Sequence, residues 1–116
     1  MIKRHMKFKS GIGHRAVEHS GILHLSGFIA DDLSVGMAGQ TEQVLKKIED
    51  TLVELGSSKQ QLLSATIFLA DFAAKEEMNA VWVSWFDDES LPTRSTIGVS
   101  DLGPRVLIEV IVSAAA

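Results

Sequence analysis

A chain of 116 residues, 46% hydrophobic and 22% charged, has the composition of an ordinary globular protein and the length for one domain, residues 1–116, around one core. A formal net charge of −4, with basic residues clustered only at Lys3-Arg4 and Lys7-Lys9, argues against a nucleic-acid partner, and no apolar run approaches a membrane span. Without cysteine there are no disulfides or thiolate metal sites, and the charged opening Met1-Ile2-Lys3-Arg4-His5 lacks the pattern of a secretory leader, so a cytoplasmic setting is expected.

Residues 2–9 read as a first strand or an ordered arm, ended by the flexible Ser10-Gly11-Ile12-Gly13. Arg15 to His19 and Ile22 to Ser26 read as a hairpin about the tight turn Ser20-Gly21. Ser26-Gly27 ends the second strand at a point that calls for either backbone freedom or close approach. From Met37 to Leu55 the spacing predicts a helix, with Val44, Leu45, Ile48, Leu52 and Leu55 on one face and Gly56 as its C-terminal cap. Ser58-Lys59-Gln60-Gln61 has capping-box spacing and predicts a single turn. Leu62 to Leu69, nearly apolar on both faces, predicts a central strand that ends at Asp71, which helps to start a second helix. In that helix Met78, Val81, Trp82, Trp85 and Phe86 form an apolar stripe, and core packing accounts for both tryptophans.

Pro92 opens the last strand pair, broken at Asp101-Leu102-Gly103-Pro104. The first of the pair alternates, with Arg94, Thr96, Gly98 and Ser100 forming a small polar face around one long cation, as would suit a pocket wall. The second, Val106 to Val112, is apolar except at Glu109, which predicts a carboxylate drawn into dry surroundings. Such burial needs a reason, and a reactive site is one, so Arg94 and Glu109 are the leading candidates. The order β-β-β-α-β-α-β-β predicts an α+β domain with two helices on one face of a mixed sheet. Strands 62–69 and 106–112, apolar on both faces, predict an uncovered apolar face and hence a homo-oligomer. The four-residue link between the last two strands suggests a hairpin that sets Thr96 opposite Glu109. The four histidines have no metal-ligand spacing, no phosphate-binding glycine loop is present, and Ser26 has no triad context, so neither a metal nor a cofactor is expected.

Ser26-Gly27, Gln40-Thr41 with Val44-Leu45, the run Ala65 to Asp71, Asn79, Pro92-Thr93-Arg94-Ser95 and Ile108-Glu109-Val110 occur in the order and spacing of the RidA, or YjgF-like, family. The chain resembles that family over about residues 15 to 114, and most of all its short YoaB-like branch. The resemblance implies a chorismate-mutase-like fold, a homotrimer with a site at each intersubunit cleft, and hydrolysis of reactive 2-imino or enamine acids to 2-oxo acids and ammonia. It also implies that the last strand inserts between the strand before the first helix and the strand after it, in place of a hairpin. By the same resemblance Arg94 is the carboxylate anchor and Glu109 the proton carrier, with Ser26, Asn79 and Thr96 on the substrate.

The chain departs from the family at three places. It has no tyrosine where well-studied members place one in the site, and His14 and Arg15 both lie near that position. Thr96 stands where many have cysteine, and Phe28 where glutamine commonly follows Ser-Gly. These departures motivate an alternative, a non-catalytic binder of small carboxylates. Nucleolytic activity ranks third, because an acidic chain has little with which to hold RNA.

Overall fold

The computed structural model describes residues 1–116. Strands β1 (Lys3–Lys7), β2 (His14–His19) and β3 (Ile22–Leu25) precede helix α1 (Met37–Glu54); β4 (Leu62–Leu69), helix α2 (Lys75–Trp85), β5 (Thr93–Gly98) and β6 (Ile108–Ala115) follow. They form one six-stranded sheet in the order β1-β2-β3-β6-β4-β5, with β4 and β5 parallel and every other pair antiparallel. The expected α+β class and element order are therefore observed, and β5 is an edge strand.

Local chemistry accounts for the element ends. Ser20 (φ 53) and Gly21 (φ 79) make the left-handed two-residue turn that a hairpin twist favours, and His19 pairs with Ile22 across it. Helix α1 closes on Gly56 (φ 83), whose N–H donates to Val53 O while that of Ser57 donates to Leu52 O. This double bond to the last carbonyls is the glycine-dependent helix stop. Asp71 accepts from the Ala73 N–H at 3.2 Å and starts a short turn that leads into α2. The turn at Lys59–Gln61 forms as well, but Ser58 makes no side-chain cap; the Gln61 N–H donates to Ser58 O instead, so the capping box is not made.

The core lies between the sheet and the two helices. Val44, Leu45, Ile48 and Leu52 of α1 and Met78 and Trp82 of α2 pack on Leu23, Leu25, Ala65, Ile67, Leu69, Ile108, Val110, Val112 and Ala114. Trp82 is buried and Trp85 stacks edge-on to Phe86, in keeping with a packing role for both.

Three expectations are corrected. The last strand does not fold back on β5; it lies between β3 and β4, where Glu109 faces Phe68 and Thr96 is paired with Ile67. This is the insertion that the resemblance implied, and the loop at residues 99–107 carries the chain over the end of β4. The strand also runs from Ile108 to Ala115 rather than from Val106 to Val112, because Ala114 and Ala115 pair with Leu23 and Ile22. Finally, the face away from the helices is not a continuous apolar patch. Strand alternation sets Ser64, Thr66 and Phe68 of β4, Thr93, Ser95 and Ile97 of β5, and Glu109, Ile111 and Ser113 of β6 on it. Isoleucines 97 and 111 remain 43% and 40% exposed there, set among small hydroxyl side chains.

The entry to β6 depends on one buried amide. Gln40, fully buried on α1, donates through Nε2 to Arg105 O at 3.0 Å and Val35 O at 3.1 Å, and its Oε1 accepts from the Leu107 N–H at 3.0 Å. The carboxylate of Glu109 is only two residues beyond. Replacing Gln40 with leucine keeps the volume but removes the partner of three part-buried backbone groups, a loss of about 1–3 kcal/mol in all. Gln40→Leu is expected to lower the midpoint of urea unfolding substantially; an unchanged midpoint would show that water or a shifted loop satisfies those groups.

Candidate functional site

The five residues singled out from sequence fall into two groups on opposite faces of the sheet. In β5, Arg94 is aligned with Ala65 and Thr96 with Ile67, both buried on the helix side, so Arg94 and Thr96 look toward α2. In β6, Glu109 is aligned with Phe68 and shares the open face. One subunit does not bring Arg94 and Glu109 together.

The first group is built on the sheet edge. The Arg94 Nη2 donates to Asn79 Oδ1 at 2.6 Å, Met78 Sδ lies 3.9 Å from Nη1, and the guanidinium carbon sits 5.4 Å from the centre of the Trp82 ring. Asn79 is held in turn by donating through Nδ2 to Glu76 Oε1 at 3.3 Å. No carboxylate comes within ion-pair reach of Arg94. Partial burial lowers its pKa from the usual arginine value, opposed by the negative charge of Glu76. The result is an aimed cation with donors to spare. Thr96 supplies another donor. The Val99 N–H donates to Leu69 O, and strand alternation then turns the N–H groups of Ile97 and Ser95 toward β4 and those of Thr96 and Arg94 toward the free edge. Asn79, which the resemblance sets on the substrate, is the residue that orients Arg94.

The second group surrounds the Ser26-Gly27 segment on the open face. Glu109 is half-buried, not enclosed, and its carboxylate makes no hydrogen bond within the subunit. It fits against Gly27 so closely that a Cβ at residue 27 would lie 2.8 Å from Glu109 Cδ. Gly27→Ala is therefore expected to displace the carboxylate while leaving the hairpin intact; a crystal structure of that variant with Glu109 unmoved would contradict this reading of the glycine. Ser26 Oγ donates to Arg15 O at 3.3 Å and accepts from Arg15 Nη1 at 3.1 Å. Arg15, noted from sequence only for lying near the family's tyrosine position, is thus part of this group. His14 is on the opposite face of β2. The two-residue turn at Ser20-Gly21 sets Arg15 opposite Ser26, so this pairing was open to reading from the hairpin's spacing, although the reach of the guanidinium on to Gly27 was not.

The concavity of the single subunit, about 370 Å³, lies elsewhere, between α1 and the loop before it, lined by Asp31, Glu42, Gln43, Lys46 and Lys47. Gln43 and both lysines there are already engaged: Gln43 Oε1 accepts from the Asp31 and Asp32 N–H groups, Lys47 Nζ donates to Ile29 O and to Asp31, and Lys46 Nζ donates to Asp50. That region fastens a loop to a helix. No cluster of histidine and carboxylate side chains suitable for a metal is formed, and no helix is long and apolar enough to cross a membrane.

The family model described as Endoribonuclease L-PSP matches residues 12–116. Among curated proteins, the RutC family protein YoaB of Escherichia coli is 32% identical over 99 residues, covering 85% of this chain and 86% of YoaB. A RutC family protein of Haemophilus ducreyi is 32% identical over 97 residues, 84% of this chain and 83% of that protein. Among solved structures, a Pseudomonas aeruginosa protein superposes with a TM-score of 0.91 at 33% identity, covering 99% of this chain and 98% of that one. A YjgF family member from Neisseria meningitidis does so with a TM-score of 0.89 at 29% identity, covering 99% and 94%.

Proposed function

Because the chain belongs to the RidA/YjgF family (the Endoribonuclease L-PSP family) and has its chorismate-mutase-like fold, we propose that it hydrolyses small 2-imino or enamine acids to 2-oxo acids and ammonia, at a cleft between subunits of a homotrimer. The observation that carries the proposal is the division of polar groups. An oriented arginine without a carboxylate partner lies on one face at the sheet edge, and a carboxylate without a hydrogen bond lies on the other. Neither half serves its own subunit. When a second copy sets its open face against the β5 edge of the first, Arg94, Asn79 and Thr96 of one meet Glu109, Ser26 and Gly27 of the other. The small hydroxyl side chains and half-exposed isoleucines of the open face suit that close approach.

The chemistry follows from the groups. The guanidinium of Arg94 takes the substrate carboxylate through two parallel hydrogen bonds, with the edge N–H of Thr96 as a further donor. Water adds to the carbon of the C=N bond; Glu109 accepts a proton from that water and returns it to nitrogen. Glu109 then takes the hydroxyl proton of the carbinolamine and passes it to the amino nitrogen; as the C=O bond forms the C–N bond breaks, ammonia leaves and the 2-oxo acid remains. No metal or cofactor is needed for these steps. Cytoplasmic residence and the lack of a nucleic-acid or membrane partner are part of the same proposal.

The test couples an oxidase that generates 2-iminobutanoate to this protein and follows loss of the imine. Faster decay than the uncatalysed reaction is expected. Binding of 2-oxobutanoate without any acceleration, on several imino acids, would select the non-catalytic carboxylate binder instead.

A further inference from the structure

Arg15 is a cation without a counter-ion. Its guanidinium carbon lies 4.0 Å from the centre of the Phe28 ring and 5.3 Å from that of Phe8, so it packs over two aromatic side chains. Only one of its three nitrogens is committed to the subunit. Nη1 donates to Gly27 O at 2.9 Å and Ser26 Oγ at 3.1 Å, with Ser26 O at 3.4 Å. Nη2 and Nε have no acceptor, yet no buried side-chain nitrogen lacks a partner, so both reach solvent. No carboxylate lies within ion-pair distance, and partial burial lowers the pKa of this guanidinium as it does that of Arg94.

The position matters as much as the valence. Arg15 grips the Ser26-Gly27 segment from one side, and Glu109 packs against Gly27. An immobilised guanidinium with an outward-facing edge beside a reactive carboxylate is a receptor for a second anionic group. We infer that Arg15 binds a distal carboxylate of the substrate, so that the preferred class is the 2-imino dicarboxylic acids, with the α-carboxylate on Arg94 and the second carboxylate on Arg15. This inference rests on the cleft proposed above. It also gives a use to a residue near the position where the family's tyrosine is missing, and it makes the site's two arginines complementary to the two charges of one ligand.

A merely structural Arg15 would tie down Ser26-Gly27 and affect all ligands alike, so the test is a ratio. Calorimetry with the unreactive analogues oxaloacetate, 2-oxoglutarate and 2-oxobutanoate on the wild-type protein is expected to show one of the diacids bound about tenfold or more tightly than the monoacid. Arg15→Met keeps an apolar stem against the two rings and removes the charge; it is expected to collapse that ratio toward one. Arg15→Lys keeps the charge without the fork and is expected to retain part of the preference, which guards against misreading a poorly folded methionine variant. Wild-type protein without a diacid preference, or variants that weaken diacid and monoacid by the same factor, would overturn the inference while leaving the Arg94 anchor standing. Failure of all three acids to bind would overturn both.

Discussion

Arg94→Lys is expected to weaken binding of 2-oxobutanoate about tenfold or more, although the charge is kept. The reason is geometric. Asn79 accepts from one arm of the Arg94 guanidinium at 2.6 Å and fixes the plane, leaving the other edge to meet a planar carboxylate with two parallel bonds. An ammonium at the end of a flexible stem offers a point charge with no preferred plane, and the Asn79 contact no longer orients it. The fold should tolerate the change, since Arg94 is half-buried at the sheet edge and outside the apolar core. Calorimetry gives the answer directly. Unchanged affinity would mean that the carboxylate is held somewhere else.

The second large effect is expected on turnover. Glu109→Gln preserves size and hydrogen-bonding capacity but cannot carry a proton between water and the leaving nitrogen, so imine hydrolysis should fall about a hundredfold or more. Binding of an unreactive 2-oxo acid should change much less, because the carboxylate anchor is on the other face of the sheet. Gly27 leaves the site of this side chain no slack, so glutamine, of the same shape, is the substitution to make. Full activity in Glu109→Gln would remove Glu109 from the reaction.

Much of the fold was legible because its elements carry local signals. The apolar stripe of α1, the turn at Ser20-Gly21 and the β-rich run Leu62 to Leu69 each satisfy their own periodicity, and each is found where the pattern sets it. The placement of β6 was not legible from local pattern, because a four-residue break satisfies a hairpin and a hop over one strand equally well. Only the family resemblance chose between them. The same limit hid the division of the candidate site. Alternation within β5 correctly grouped Arg94 with Thr96, but which face each strand turns toward the helices depends on register between strands. Reading the strands as apolar on both sides likewise underweighted Ser64 and Thr66, and ending the last one at Val112 left out Ser113, which shares their face, Ser64 Oγ lying 2.5 Å from Ser113 Oγ. Gln40 carried a usable signal, an amide on the same helical stripe as Val44 and Ile48, where a polar side chain must find partners. Arg15 carried a signal only toward Ser26, which the two-residue turn sets opposite it; its approach to Phe8, Gly27 and Phe28 depends on how the segments flanking the hairpin pack.

The claim that one site is made from two subunits is tested most directly by mixing two inactive proteins. Arg94→Ala and Glu109→Gln, unfolded together and refolded in equal amounts, assort at random among the positions of a cyclic trimer. A site that takes its arginine from one copy and its glutamate from the next is then intact in about a quarter of cases. Imine hydrolysis is expected to return to roughly a quarter of the wild-type rate, while neither variant refolded alone recovers. A mixture no more active than the two separate variants would contradict the account, because it would mean that both groups must come from the same copy or that neither acts on the imine.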